Sequence, residues 1–179
     1  MLPIELHGPE KTIHWSDPEP FIQMALSKFP HLDREFVTQI CYEHPSRFNQ
    51  ILPKFDASLH TAIRGTRTVK WILENVTYDH SQSIHNEWAW QVDKYLENGI
   101  GGSEVLPQMV ASGIWPFPPV IVEANFASSI GAPSYVGRPY YLIEGTHRVS
   151  YLARLFELKR VSAESSLPII EVMRQASPN

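Results

Sequence analysis

Apolar residues recur at three- and four-residue steps from about residue 16 to residue 98, a periodicity that predicts mostly helix in this half of the chain. The first run starts at Ser16-Asp17-Pro18, an oxygen-bearing cap followed by a proline whose missing N–H is harmless in a first turn. Phe21, Met24, Ala25 and Lys28 follow, and Pro30 stops the run. Asp33 opens a second run, with Phe36, Val37, Ile40 and Cys41 on one stripe and Pro45 beyond it. Val69, Ile72, Leu73 and Val76 form a third stripe. Ile84, Trp88, Val92, Tyr95 and Leu96 form a fourth that runs into Gly99, a residue suited to a left-handed C-terminal cap. Trp88 and Trp90 fall on nearly opposite sides of that helix, so at most one of them belongs to a core and the other is a rim contact or a partner anchor.

The pattern changes at Asn98-Gly99-Ile100-Gly101-Gly102, a turn or hinge. Residues 103–112 predict a short helix closed by Gly113. The following Ile114-Trp115-Pro116-Phe117-Pro118-Pro119 must be extended, because each proline fixes its own φ and drives its predecessor out of the α region. Short β-rich runs come next at 120–125 and 140–143, then an amphipathic helix at 149–158 and a last strand at 167–172. The expected fold class is α+β, with a mostly helical N-terminal region over 1–98 packed on a small mixed α/β core over 99–179. Trp115 and the prolines around it read as packing and loop stiffening.

Composition narrows the classes. The 179 residues are 43% hydrophobic and 19% charged, which is globular composition, and a chain of this length buries roughly 70% of its unfolded surface without help from a metal or a disulfide. The formal charge of -4 lacks the footprint of a general nucleic-acid binder. Cys41 is the single cysteine, which excludes an internal disulfide and any Cys-x-x-Cys pair and points to a reducing, cytoplasmic setting. The start has no basic segment followed by an apolar run, and no stretch approaches the roughly eighteen apolar residues of a membrane span, so a soluble, unprocessed protein with no membrane partner is expected.

The stretch that carries chemistry is Tyr140-Tyr-Leu-Ile-Glu-Gly-Thr-His-Arg-Val149, where an apolar strand ends in Glu144-Gly145 and a helix begins. The first N–H groups of a helix have no internal partner and lie at the positive end of its dipole, so an anion is stabilised there. Gly145 permits a tight backbone, Thr146 carries the hydroxyl of an N-cap, and His147 and Arg148 add donors at the same mouth. Val149, Leu152, Ala153 and Phe156 then fasten the helix to a sheet. Gly145, Thr146, His147 and Arg148 are thus the candidate phosphate-binding residues.

Ile143-Glu-Gly-Thr-His-Arg148 resembles the turn of the ParB/sulfiredoxin-like superfamily, and the preceding short helix, Gly113 and Pro118-Pro-Val-Ile-Val122 resemble the approach to it, so that roughly residues 103–173 are covered. The resemblance implies a small α/β domain that grips the phosphates of a nucleotide, ATP or CTP, often with Mg²⁺. It implies catalytic roles for Glu144 and His147, with Glu144 as a metal contact, in phosphoryl transfer or phosphoester hydrolysis. Thr146 stands where the sulfiredoxin branch has its catalytic cysteine, and a hydroxyl cannot supply that thiolate chemistry. In the partition branch a helix-turn-helix DNA-binding region follows the turn; with the sequence ending a few residues after its last strand, chromosome partition is not the expected role.

Other readings compete at each position. Glu144 and Arg148 also suit a bracing ion pair, and His147 a structural hydrogen bond. Arg64 and Arg67, with Lys70, fall three residues apart around Gly65; on a helix they form a solvated face or accessory phosphate contacts. Asp79, His80 and His85 lack the spacing that puts two imidazoles on one helical face, so no zinc site is expected, and nothing in the chain calls for haem or flavin. The expected partner is a nucleotide or another phosphorylated small molecule. Two alternatives from other classes are a non-catalytic protein-binding module of the immunity or antitoxin type and a ParB-like DNA-acting nuclease, the latter disfavoured by the charge balance.

Overall fold

The computed structural model describes residues 17–44, 54–77, 82–129 and 138–175. Ser16, Pro45, Asp79 and His80, and the readings placed on them, lie outside these residues. The elements run α1 (Glu19–Lys28), α2 (Arg34–Phe36) continuing without a break as a π-helical turn (Val37–Tyr42), β1 (His60–Thr68), α3 (Val69–Asn75), β2 (Val76–Thr77), α4 (Gln82–Asn98), α5 (Val105–Ser112), β3 (Val120–Glu123), α6 (Ala124–Ser129), β4 (Tyr140–Glu144), α7 (Thr146–Glu157) and β5 (Ser166–Arg174). The fold is α+β, as the periodicity indicated. No helix among the described residues is long and apolar enough to cross a membrane.

The five strands form one mixed sheet in the order β1-β5-β3-β4-β2. β1 is antiparallel to β5, β5 parallel to β3, β3 antiparallel to β4, and β4 parallel to β2. The reading of 16–98 as mostly helix therefore needs correction at 60–68 and 76–77, which are strands of the same sheet as β3, β4 and β5. Only the first three residues of β1 are buried, and its remainder is half-exposed or exposed, so no apolar alternation marks it in the sequence. It is an edge strand, and edge strands carry charge without penalty. Arg64 and Arg67 belong to it rather than to a helix. Lys70, in the first turn of α3, lies 4.0 Å from Glu74.

Both faces of the sheet are covered, because alternate residues of the inner strands feed two separate cores. Val120, Val122, Tyr141, Ile143, Ile170 and Val172 join Ile22 and Ala25 of α1 and Phe36, Val37 and Ile40 of the α2–π segment. Ile121, Leu142, Leu167 and Ile169 face the other way, onto Val69 and Ile72 of α3, Val92 of α4, Leu106 and Met109 of α5, and Val149, Leu152 and Leu155 of α7. Trp115 is 2% exposed in this second core, and its Nε1 donates to the Pro168 carbonyl at 2.7 Å. The extended proline run thus serves packing, as its composition suggested. Gly113 closes α5 at φ 70°, and Gly99 follows α4 at φ 72°.

Asp33 ties the first layer to the sheet edge. Its Oδ1 accepts from the Glu35 and Phe36 amides at 2.7 and 3.4 Å, its own amide donates to the Ala62 carbonyl of β1 at 2.8 Å, and its carboxylate pairs with Arg64 at 3.0 Å. Losing a helix cap costs about 1 kcal/mol and an exposed ion pair at most about as much. Asp33→Ala is expected to lower the urea-unfolding free energy by about 1–2 kcal/mol, whereas Arg64→Gln, which spares the cap, lowers it by less than about 1 kcal/mol. Equal losses would show that the cap contributes nothing.

Candidate functional site

β4 and α7 meet at Gly145, which adopts φ 108°. A Cβ built there would stand 2.7 Å from Pro119 Cβ and 3.0 and 3.1 Å from Nη2 and Nε of Arg148. Glycine is therefore required twice, for its left-handed backbone and for the guanidinium packed over it. Gly145 is also the N-cap residue of α7, and no side chain caps that helix, so the reading of Thr146 as an oxygen cap is corrected: Thr146 is the first helical residue.

A cavity of about 350 Å³ opens beside this turn, within the range of small-molecule sites. Gly145, His147, Arg148 and Glu144 line one side of it. Glu35, Thr38, Gln39 and Glu43 line another, all from the α2–π segment, and Ser103, Glu104, Val105 and Phe117 complete it. A second cavity of about 360 Å³ shares Glu144 and His147 with the first and is otherwise lined by His44, Ile84, Glu87, Trp88 and Thr146. Of the residues singled out in the sequence, Glu144, Gly145, His147 and Arg148 come together on the first cavity and Thr146 faces the second. Arg64 and Arg67 line neither; they pair with Asp33 and with Glu171, at 3.0 and 3.1 Å.

Arg148 is 7% exposed. Its Nη1 donates to the Phe117 carbonyl at 3.2 Å, and its Nη2 lies 3.7 Å from Glu144 Oε1, a loose ion pair. Burial pulls the guanidinium below its ordinary pKa against the opposing influence of Glu144, Glu43 and Glu35. Desolvation pushes the Glu43 carboxyl above its ordinary value; His44 and Arg148 oppose that shift, while Glu144 and Glu35 reinforce it. Arg148 and Glu43 thus both lose solvation beside the same cavity.

The aromatic Trp88 of α4 lies against His147, ring centroids 3.5 Å apart at 40°. Trp88 is the half-buried member of the Trp88/Trp90 pair and Trp90 is 57% exposed, as the opposite-face spacing required. Tyr151, one turn beyond His147, donates to Gln91 Oε1 at 2.8 Å and accepts from the Ser103 amide at 3.1 Å. Arg154 adds a two-pronged pair to Asp93 at 2.9 and 3.1 Å. These bonds fasten α7 to α4 and hold Ser103 at the cavity.

The carboxylates of the α2–π segment and Glu104 were not singled out by sequence reasoning. The one signal available was the four-residue spacing Glu35, Gln39, Glu43, which reads as an ordinary solvated helix face. Among the described residues no group of three His, Cys, Asp or Glu is gathered tightly enough to hold a metal ion by itself. Comparison with known protein families, with curated proteins and with solved structures finds no match to this chain.

Two outcomes follow from this geometry. Gly145→Ala combines a left-handed φ penalty of about 1–2 kcal/mol with steric overlap, so it is expected to reduce stability by more than about 2 kcal/mol in urea unfolding. Gly99→Ala, with the same sign of φ but nothing within 4 Å of its Cβ, loses only the φ penalty, about 1 kcal/mol. For Glu43, a carboxyl pKa raised in the folded state means that the ionised form opposes folding near neutral pH, and that the opposition vanishes as pH falls below the unfolded value, about 4. Glu43→Gln is expected to raise the urea midpoint near neutral pH and to match the parent below about pH 4. A variant less stable than the parent at neutral pH would contradict the crowding.

Proposed function

We propose that the protein binds a phosphate-bearing small molecule, a nucleotide such as ATP or CTP, together with Mg²⁺, in the cavity beside Gly145. The observation that carries this reading is the buried Arg148 guanidinium, whose ion pair with Glu144 is loose, on a cavity at the start of α7. A second support is the resemblance of Ile143–Arg148 to the phosphate-gripping turn of ParB/sulfiredoxin-like proteins. Arg148 fits a phosphoryl group as a charged donor fork, and its fixed position supplies orientation. The carboxylates repel a bare phosphate, and Glu144 and Glu43 fit the one or two carboxylates that a phosphate-bound Mg²⁺ draws from a protein. When bound, such an ion neutralises phosphate charge.

In this reading Glu144 and His147 stand between the two cavities, where either can accept the proton of an attacking hydroxyl or water. Trp88 restrains the His147 ring. Phosphoryl transfer or phosphoester hydrolysis is the matching chemistry. We place the protein in the cytoplasm on the same footing, supported by the buried free thiol of Cys41. A protein-binding role of the immunity or antitoxin type is favoured by one observation, the exposed Trp90, and is the second reading.

Calorimetry with ATP, CTP and GTP decides the first reading. Saturable heat is expected with Mg²⁺ and far less without it, and Arg148→Lys, which keeps the charge but loses the fork, is expected to weaken binding by about tenfold. The absence of heat from all three nucleotides at millimolar concentration with Mg²⁺ would overturn it.

A further inference from the structure

His60 opens β1 and is 6% exposed. The rings of Phe55 and Phe126 lie against its imidazole, centroids 5.3 and 5.2 Å away. Phe55 in turn packs on Phe36, centroids 5.5 Å apart, and Phe36 follows Glu35 of the first cavity's wall. The turn over residues 54–59 therefore backs the segment that shapes that cavity.

One hydrogen bond between this turn and the sheet has a fixed direction. The Asp56 amide donates to His60 Nδ1 at 2.9 Å, so Nδ1 presents a lone pair and the ring is neutral. A proton on Nδ1 removes the acceptor and sets two donors face to face. The other fastenings of the turn survive acid. His31 Nε2 meets the Ala57 carbonyl at 2.6 Å, a contact that a protonated ring also makes. Gln175 Nε2 donates to the Ala57 and His60 carbonyls at 3.5 and 3.4 Å, and the Leu59 and His60 amides donate to the Asp56 carbonyl at 3.0 and 2.8 Å.

Two charged groups bear on the ring. Asp56 favours the imidazolium from the turn, and Arg174, which pairs with His60 across the sheet, opposes it from β5. Burial is the largest influence and holds His60 below its ordinary pKa, in the same direction as the loss of the bond. We propose that His60 is an acid-operated latch: proton uptake at Nδ1 frees the Phe55–Asp56 end of the turn while the sheet stays folded. The closed turn is fully stable above the unfolded histidine value, about 6.5, and loses that stability as pH falls through the lower folded value. The latch does not depend on any ligand of the cavity.

Amide hydrogen exchange on the full chain, read residue by residue by NMR and corrected for the intrinsic pH dependence of exchange, tests the latch. Between about pH 7.5 and about pH 5 the protection of the Asp56 amide is expected to fall by about tenfold, while Val122 in β3 keeps its protection within about twofold. His60→Asn places an acceptor oxygen near the Nδ1 position and takes up no proton there. In that variant the Asp56 amide is expected to keep its protection within about twofold over the same range. The ring signals of the parent give a check that needs no variant: His60 is expected to titrate below about 6.5, in step with the loss at Asp56. The proposal is overturned by protection at Asp56 that does not change with pH, by an equal loss in His60→Asn, by an equal loss at Val122, or by a ring that titrates at or above the ordinary value.

Discussion

At Gly145 the chain turns from β4 into α7 with Pro119 on one side and the Arg148 guanidinium on the other, in a space that admits no Cβ. That close packing has consequences on three scales. It joins the strand that feeds both cores, through Tyr141 and Ile143 on one face and Leu142 on the other, to the helix that fills the second core. It locks the end of the extended proline run against the turn, so that the Phe117 carbonyl meets Arg148. And it holds a positive charge beside a cavity instead of in bulk water. A register irregularity between Val120 and Ile121 of β3, opposite Leu142 to Glu144, adds the local bend that β-bulges supply near sites.

Arg148 is held from two sides, by the Phe117 carbonyl and by a loose ion pair with Glu144. Desolvating a guanidinium is costly, and a purely structural wedge of the same volume is served as well or better by an apolar side chain. The pair with Glu144 is too long for a hydrogen bond, at 3.7 Å, and burial pulls the guanidinium below its ordinary pKa against Glu144, Glu43 and Glu35. In the proposed function an anion entering the cavity would meet a guanidinium already fixed in place.

Much of the fold was written in local pattern. Proline and glycine bracketed α1 and α5, the unbroken apolar runs gave β3, β4 and β5, and the 3.6-residue stripe gave α7, because these elements bury a continuous face. β1 was not readable, since after Ala62 its residues are exposed or half-exposed and Ile63 itself is 49% exposed. Its arginines are spaced as on a helix and are satisfied by Asp33 and Glu171, residues distant in sequence. The Glu144–Arg148 turn was legible because one stretch of chain carries the whole of it. Glu35, Gln39, Glu43 and Glu104 were not, because only the packing of α2 and of the Ser103 segment against the turn makes them one site.

The π-helical turn explains how that packing is achieved. Glu35, Gln39 and Glu43 are four residues apart, and in an α-helix of 3.6 residues per turn each four-residue step rotates the side chain further around the axis. A wider turn, seen in the Glu43 amide donating to the Thr38 carbonyl five residues back at 3.0 Å, takes that rotation back over the second step. The three side chains stay on one line along the cavity while Phe36, Val37, Ile40 and Cys41 remain buried in the first core. A continuous α-helix would keep the core contacts and swing Glu43 off that line. The irregular turn is thus what reconciles an apolar stripe with a polar one, and such turns are found disproportionately where a helix serves a site as well as a core.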